Sequence, residues 1–158
     1  KKYKSLNLDI NNNIKTHLEY VGYAMVPNED NEIHIFMKPG MPTIYMQQLT
    51  NNRLVLNCIY EYNRNGDNNR TRLLEYVNHL NVYSYVSTFT VDSGKLGFCA
   101  LFSGIYDRIE FGQFMQAFEH DATALLDNNP DTKLFLMEDC PEIDSELMNL
   151  EFDKQYAA

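Results

Sequence analysis

The sequence predicts an α+β fold in which an antiparallel sheet packs against helices, in the order α-β-β-β-α-β-β-α. Three observations carry this. Residues 69–128 read as amphipathic helix, β-hairpin, amphipathic helix. Three strand-like runs precede that block, and a first helix precedes the runs.

The first helix spans Asn11 to Tyr23. Ile14, Leu18 and Val21 recur at spacings of four and three, which places them on one face. Asn11, Asn12 and Asn13 are N-cap residue types, and Gly22 is a stop.

Ile33 to Met37 is dense in β-formers, and Pro39, Gly40 and Pro42 end it. Thr43 to Leu49 is the second run, followed by a turn at Thr50, Asn51 and Asn52. Arg53 to Tyr62 is the third. Its Leu54, Leu56, Cys58 and Tyr60 form one face, expected to meet the core. Val55, Asn57, Ile59 and Glu61 form the other. That face is half apolar, which predicts a cover: a helix or a partner.

Asn63 to Asn69 reads as a polar loop around Gly66 and Asp67. A second helix over 69–80 places Leu73, Leu74, Val77 and Leu80 on one stripe. Tyr85 to Val91, the turn Asp92-Ser93-Gly94-Lys95 and Leu96 to Ser103 form a hairpin. Leu96, Phe98, Ala100 and Phe102 share one side of its second strand. The third helix, over 109–127, carries Phe111, Phe114, Met115, Phe118, Ala122, Leu125 and Leu126 in helical register, and Asn128, Asn129 and Pro130 end it. These apolar stripes predict core, not a cofactor site.

Residues 1–130 therefore form the domain, and 131–158 an acidic C-terminal extension. Leu134 to Met137 is a short apolar run suited to a strand or a docking segment. Ile143, Leu147, Leu150 and Phe152 suit a short docking helix capped by Asp144 or Ser145.

At 158 residues the chain buries a sizeable core without help from metals or disulfides. Net charge is −9. The first 130 residues hold 14 acidic and 11 basic residues, the remainder 8 acidic and 2 basic. Negative charge without a basic stripe argues against nucleic acid. Arg64, Arg70 and Arg72 surround Asp67 and read as a solvated loop and helix start. Cys58, Cys99 and Cys140, some forty residues apart, match neither a disulfide framework nor a zinc motif. Cys58 and Cys99 are expected as small buried thiols. A reducing cytoplasm suits them. No apolar run reaches 18 residues, so no membrane span is expected.

Searches for chemistry return little. His17, His34, His79 and His120 form no i, i+4 pair. Glu119, His120 and Asp121 are neighbours on a helix and point apart. There is no Gly-x-Ser-x-Gly and no Gly-rich phosphate loop. The sequence thus offers no catalytic residue, cofactor site or metal ligand set.

The segment from Arg70 to Leu126 resembles the second half of YbjN-like domains, a family of candidate bacterial sensory transduction regulators. There an LL-x-x-(V/L)-N-x-L-N helix leads to an aromatic-bearing strand, an acidic-Gly turn, a second strand and a long amphipathic helix. Leu73, Leu74, Val77, Asn78, Leu80 and Asn81 match the helix, and Asp92 and Gly94 match the turn. Upstream the match is in element order only, so that the resemblance covers about residues 12 to 127. YbjN-like domains share the fold of class I type III secretion chaperones. The resemblance implies that fold, frequent homodimers and no enzymatic activity. Those chaperones bind extended segments of secreted proteins.

The expected function is a non-enzymatic protein-binding module, chaperone-like or regulatory, acting through sheet and helix surfaces on a protein partner. The expected contact residues are Val55, Asn57 and Ile59 on the third strand and Leu147 and Leu150 in the extension. The competing readings are a small-ligand or metal sensor, and an enzyme of unrecognised type.

Overall fold

A computed structural model of the chain describes residues 11–29 and 32–137. Helix α1 (Asn12–Tyr20) starts where the Asn11 side chain accepts from the Asn13 N–H at 2.8 Å. It ends in a left-handed Gly22, with the Tyr23 N–H donating back to the Leu18 carbonyl. Strands β1 (Ala24–Val26), β2 (Ile33–Met37), β3 (Ile44–Gln48) and β4 (Arg53–Glu61) follow. Then come α2 (Arg64–Asn68), α3 (Arg70–Tyr83), β5 (Ser87–Asp92), β6 (Lys95–Ser103) and α4 (Arg108–Ala122). Two short helices, α5 (Ala124–Asn128) and α6 (Asp131–Leu136), complete the described fold.

The six strands form one antiparallel sheet in the order β1-β2-β3-β4-β6-β5. The expected α+β order holds, with one edge strand and three short helices added to it. The β5–β6 hairpin turns on Ser93 and Gly94, both at positive φ, the backbone that matches strand twist in a two-residue turn.

The core lies between one face of the sheet and α1, α3 and α4. Phe36, Ile44, Met46, Leu54, Leu56, Cys58, Leu96, Phe98, Ala100 and Phe102 supply the sheet side. Phe98 stacks on Phe89 at 5.0 Å and meets Phe118 of α4 at 5.7 Å. Phe111, Met115 and Phe118 are buried, whereas Phe114 sits half-buried at the rim against Phe102. On α3 the buried stripe is Arg72, Leu73, Tyr76, Val77 and Leu80. Leu74 lies outside it and is exposed, because one residue step turns the helix about 100° away from the core face.

Three further expectations are corrected. The third helix breaks at Thr123, whose hydroxyl donates to the Glu119 carbonyl at 2.7 Å while its backbone leaves helical geometry. The polar stretch after β4 is not a loop. Asn63 caps a helical turn there, and Gly66 lies against the Tyr62 ring where no Cβ would fit. Arg72 is not solvated. It is buried and paired with Asp131.

That pair carries the chain past Pro130 into the same core. Leu134 and Phe135 are buried, and the Phe135 ring lies 5.4 Å from that of Tyr76. The Tyr76 hydroxyl and Thr132 Oγ1 are 2.8 Å apart. The segment is helical rather than extended, and Asn63 holds it from three sides. Its N–H donates to the Phe135 carbonyl, and its side-chain amide donates to those of Leu134 and Met137 at 2.7 and 2.8 Å.

At the far side of the sheet, the Asn81 side chain donates to the Phe89 carbonyl at 2.9 Å and accepts from the Phe89 N–H at 2.7 Å. Asp121, fully buried on α4, accepts the N–H groups of Tyr85, Val86 and Ser87 at 2.8 to 2.9 Å. The Ser84 hydroxyl donates to the Ser87 carbonyl at 2.7 Å.

Candidate partner-binding surface

All described helices that reach the core pack on one face of the sheet. Strand alternation sends every second side chain to the other face, and no described element covers it. The register shows what meets there. One row crosses all six strands as Val26, Ile35, Tyr45, Asn57, Cys99 and Thr88. A second runs Ile33, Gln47, Val55 and Leu101. A third places Ile59 beside Gly97 and Thr90.

These rows are uncharged. Arg53 stands at one end of β4, and Glu61, Lys95 and Asp92 at the other. Between them Ile59 is 52% exposed, Leu101 51% and Tyr45 40%, with Met37 of β2 at 51% on the same face. Val55, Asn57, Ile33 and Ile35 are half-buried by their neighbours alone. An apolar patch rimmed by charge and left open to water is the usual mark of an interaction site.

The three strand residues singled out from the sequence, Val55, Asn57 and Ile59, stand together on this face. Leu147 and Leu150 lie outside the described residues. Tyr45, Leu101, Met37 and Ile35 join the surface and were not singled out. Their signal was available in the alternation of their own strands: Leu101 lies between Ala100 and Phe102, both core. The same alternation corrects Cys99. It is exposed near the middle of the open face, whereas Cys58 is buried and desolvation pushes its thiol pKa up to about 12.

The expectation that the acidic–histidine triplet points apart holds for Glu119 and is corrected for the other two, since His120 Nδ1 lies 3.4 Å from Asp121 Oδ1 and both meet Tyr85. Glu119 accepts from the Tyr23 hydroxyl at 2.8 Å and from Lys38 Nζ at 3.0 Å. Burial and that acceptor raise the Tyr23 pKa far above its ordinary value. Asp121 caps the amides before β5, and His120 stacks on Tyr85 with ring centroids 4.1 Å apart. Among the described residues no group of three or more His, Cys, Asp or Glu can hold a metal ion. None of the described helices is long and apolar enough to cross a membrane.

Several concavities flank the described helices. A groove of about 920 Å³ between α1 and α4 is lined by His17, Tyr20, Arg108 and Ile109. There His17 Nδ1 lies 3.0 Å from the Tyr106 hydroxyl. Burial, and then the Arg108 cation, hold the His17 pKa below its ordinary value. A smaller cavity of about 480 Å³ is lined by His79, Tyr83, Tyr85 and His120, with Leu125, Asn128 and Asn129.

No family model matches the sequence, and neither does any curated protein. The fold does have a solved counterpart. The crystal structure of YbjN, a candidate transcription regulator from E. coli, superposes with a TM-score of 0.57 at 13% identity, covering 72% of this chain and 86% of that one. At that identity the likeness is one of architecture: the chain shares the α+β fold of YbjN.

Proposed function

We propose that the chain is a non-enzymatic, regulatory protein-binding module whose open sheet face receives a segment of a partner protein. The observation that carries this reading is the patch of Ile59, Leu101, Tyr45 and Met37, apolar side chains that face water over an otherwise completed core. Burying one such side chain is worth about 1.5–3 kcal/mol, so three or four supply the centre of an interface. The regulator described for YbjN, a protein of the same fold, is in keeping with a module that acts by binding. Two free thiols, Cys58 and Cys99, suit a reducing compartment such as the cytoplasm. The chaperone-like variant of the reading rests on the family resemblance.

The test compares affinity purifications from the native host using the parent chain and an Ile59→Glu/Leu101→Glu variant. Both side chains stand clear of the core, so the fold is retained. A protein that co-purifies with the parent and is lost with the variant supports the reading. Equal recovery from both removes the open face from it.

A second reading has one specific observation in its favour. Four rings, those of His79, Tyr83, Tyr85 and His120, line the smaller cavity, which suits a planar small ligand of a sensor domain. A thermal shift with a metabolite panel that is abolished by Tyr85→Ala distinguishes it from protein binding.

A further inference from the structure

The described fold stops at Met137, and where it stops bears on what covers the open face. The Met137 carbonyl is held by Asn63, two residues beyond the end of β4. Ile59 lies four residues back along that strand, roughly 13 Å away at the rise of a strand. The chain continues for 21 residues, 138–158. Its first six residues span up to about 20 Å when extended, enough to bring Ile143 over the Ile59 end of the patch. Beyond that point Ile143, Leu147 and Leu150 recur at the four-and-three spacing that suits one side of a helix. Seven acidic residues lie among and around them. The apolar side matches a face whose central rows carry no charge, and the acidic side would remain in water.

A second copy of the chain is the other occupant to weigh. It would bring a charge of −9 against −9 and would have to be gathered from solution. A tethered segment acts at an effective concentration in the millimolar range when its linker spans the gap. We propose that residues 138–158 dock in cis on the open sheet face through Ile143, Leu147 and Leu150, so that a partner must displace them. This rests on the reading of that face as the partner site and assigns its regulation: the chain carries its own competitor.

Cys99 stands near the middle of the face and reports coverage without any partner. The measurement is its modification rate by a water-soluble maleimide in the full chain carrying Cys140→Ser, with and without Leu147→Glu/Leu150→Glu. Cys58, buried and held as the neutral thiol, reports that the fold is intact. The expected result is a rate at least about tenfold higher in the double variant, with the slow rate of the parent independent of protein concentration. Equal rates with and without the glutamates overturn the proposal. So does protection that deepens as concentration rises, which assigns the face to a second copy. If Cys58 reacts in the double variant, the single change Leu147→Ser replaces it. The parent alone still decides against docking if its Cys99 reacts as fast as in the urea-unfolded chain. A covered Cys99 with no partner in the purification above fails the binding reading and leaves the docking intact.

Discussion

Arg72 and Asp131 meet in a buried two-point ion pair, with Nη2 2.6 Å from Oδ1 and Nε 3.1 Å from Oδ2. The pair fastens α6 to α3 across 59 residues of sequence. Leaving one buried charge without the other costs about 3–5 kcal/mol, whereas replacing both by apolar residues of similar volume is close to neutral. Asp131→Ala is therefore expected to lower the urea midpoint sharply, and Arg72→Met/Asp131→Leu to restore most of it. A chain ending at Asn129 loses Asp131 and Phe135 together and is expected to be less stable still. A midpoint unchanged in Asp131→Ala contradicts the buried pair.

Phe118 and Phe114 differ by one helical turn and in weight. Phe118 is fully buried against Phe98, so Phe118→Ala is expected to cost about 3–5 kcal/mol. Phe114, half-buried at the rim, is expected to cost about 1–2 kcal/mol. Urea unfolding of the two variants side by side checks the ranking, and equal losses would contradict the packing.

Acidification is expected to weaken the fold through His17. Its folded pKa lies below the ordinary 6.5, so on lowering the pH the unfolded chain takes up a proton before the folded one does. The contribution to stability is complete above about 6.5 and declines as pH falls from there toward the folded value. Thermal midpoints near pH 7.5 and near pH 5.5 should differ less in His17→Gln than in the parent. A parallel shift in both would assign the acid sensitivity to other groups.

The family resemblance implies a homodimer, and a twofold contact must be self-complementary. Light scattering is expected to return twice the chain mass of 18.5 kDa at working concentration. A value of 18.5 kDa at every concentration removes the dimer.

Long periodic elements were legible from the residues alone. The Phe111, Met115, Phe118 spacing and the alternation of Leu54, Leu56 and Cys58 each record one buried face, and those faces formed the core. What escaped was structure held by side-chain polar contacts, which leave no period. Helix α2 has the sequence RNGDN, without one apolar residue, and depends on its Asn63 cap and on Gly66 beneath Tyr62. Strand β1 is three residues long, too short to show alternation. Arg72 looked like a surface charge because its partner comes from a segment read as a separate tail. The open face was half legible: β4 announced Val55, Asn57 and Ile59, while Leu101 and Tyr45 needed the register to place them alongside.

The hydrogen bonds around β5 bear on how this sheet can grow. An edge strand normally offers its outward N–H and C=O groups to any passing chain. Here the outward peptide groups of Ser87 are taken by Asp121 and Ser84, and those of Phe89 by Asn81. A seventh strand arriving on that side finds only Val91 unoccupied among the outward residues of the ladder. Asn81, near the end of α3, thus acts as a stopper on that border of the sheet, occupying the peptide groups that a further strand would need. Among the described residues the opposite border is three residues of β1 followed at once by Pro27, which has no N–H to lend. With one border plugged and the other cut short, the described sheet is closed to growth by strand addition, and its broad open face is what it still presents to water.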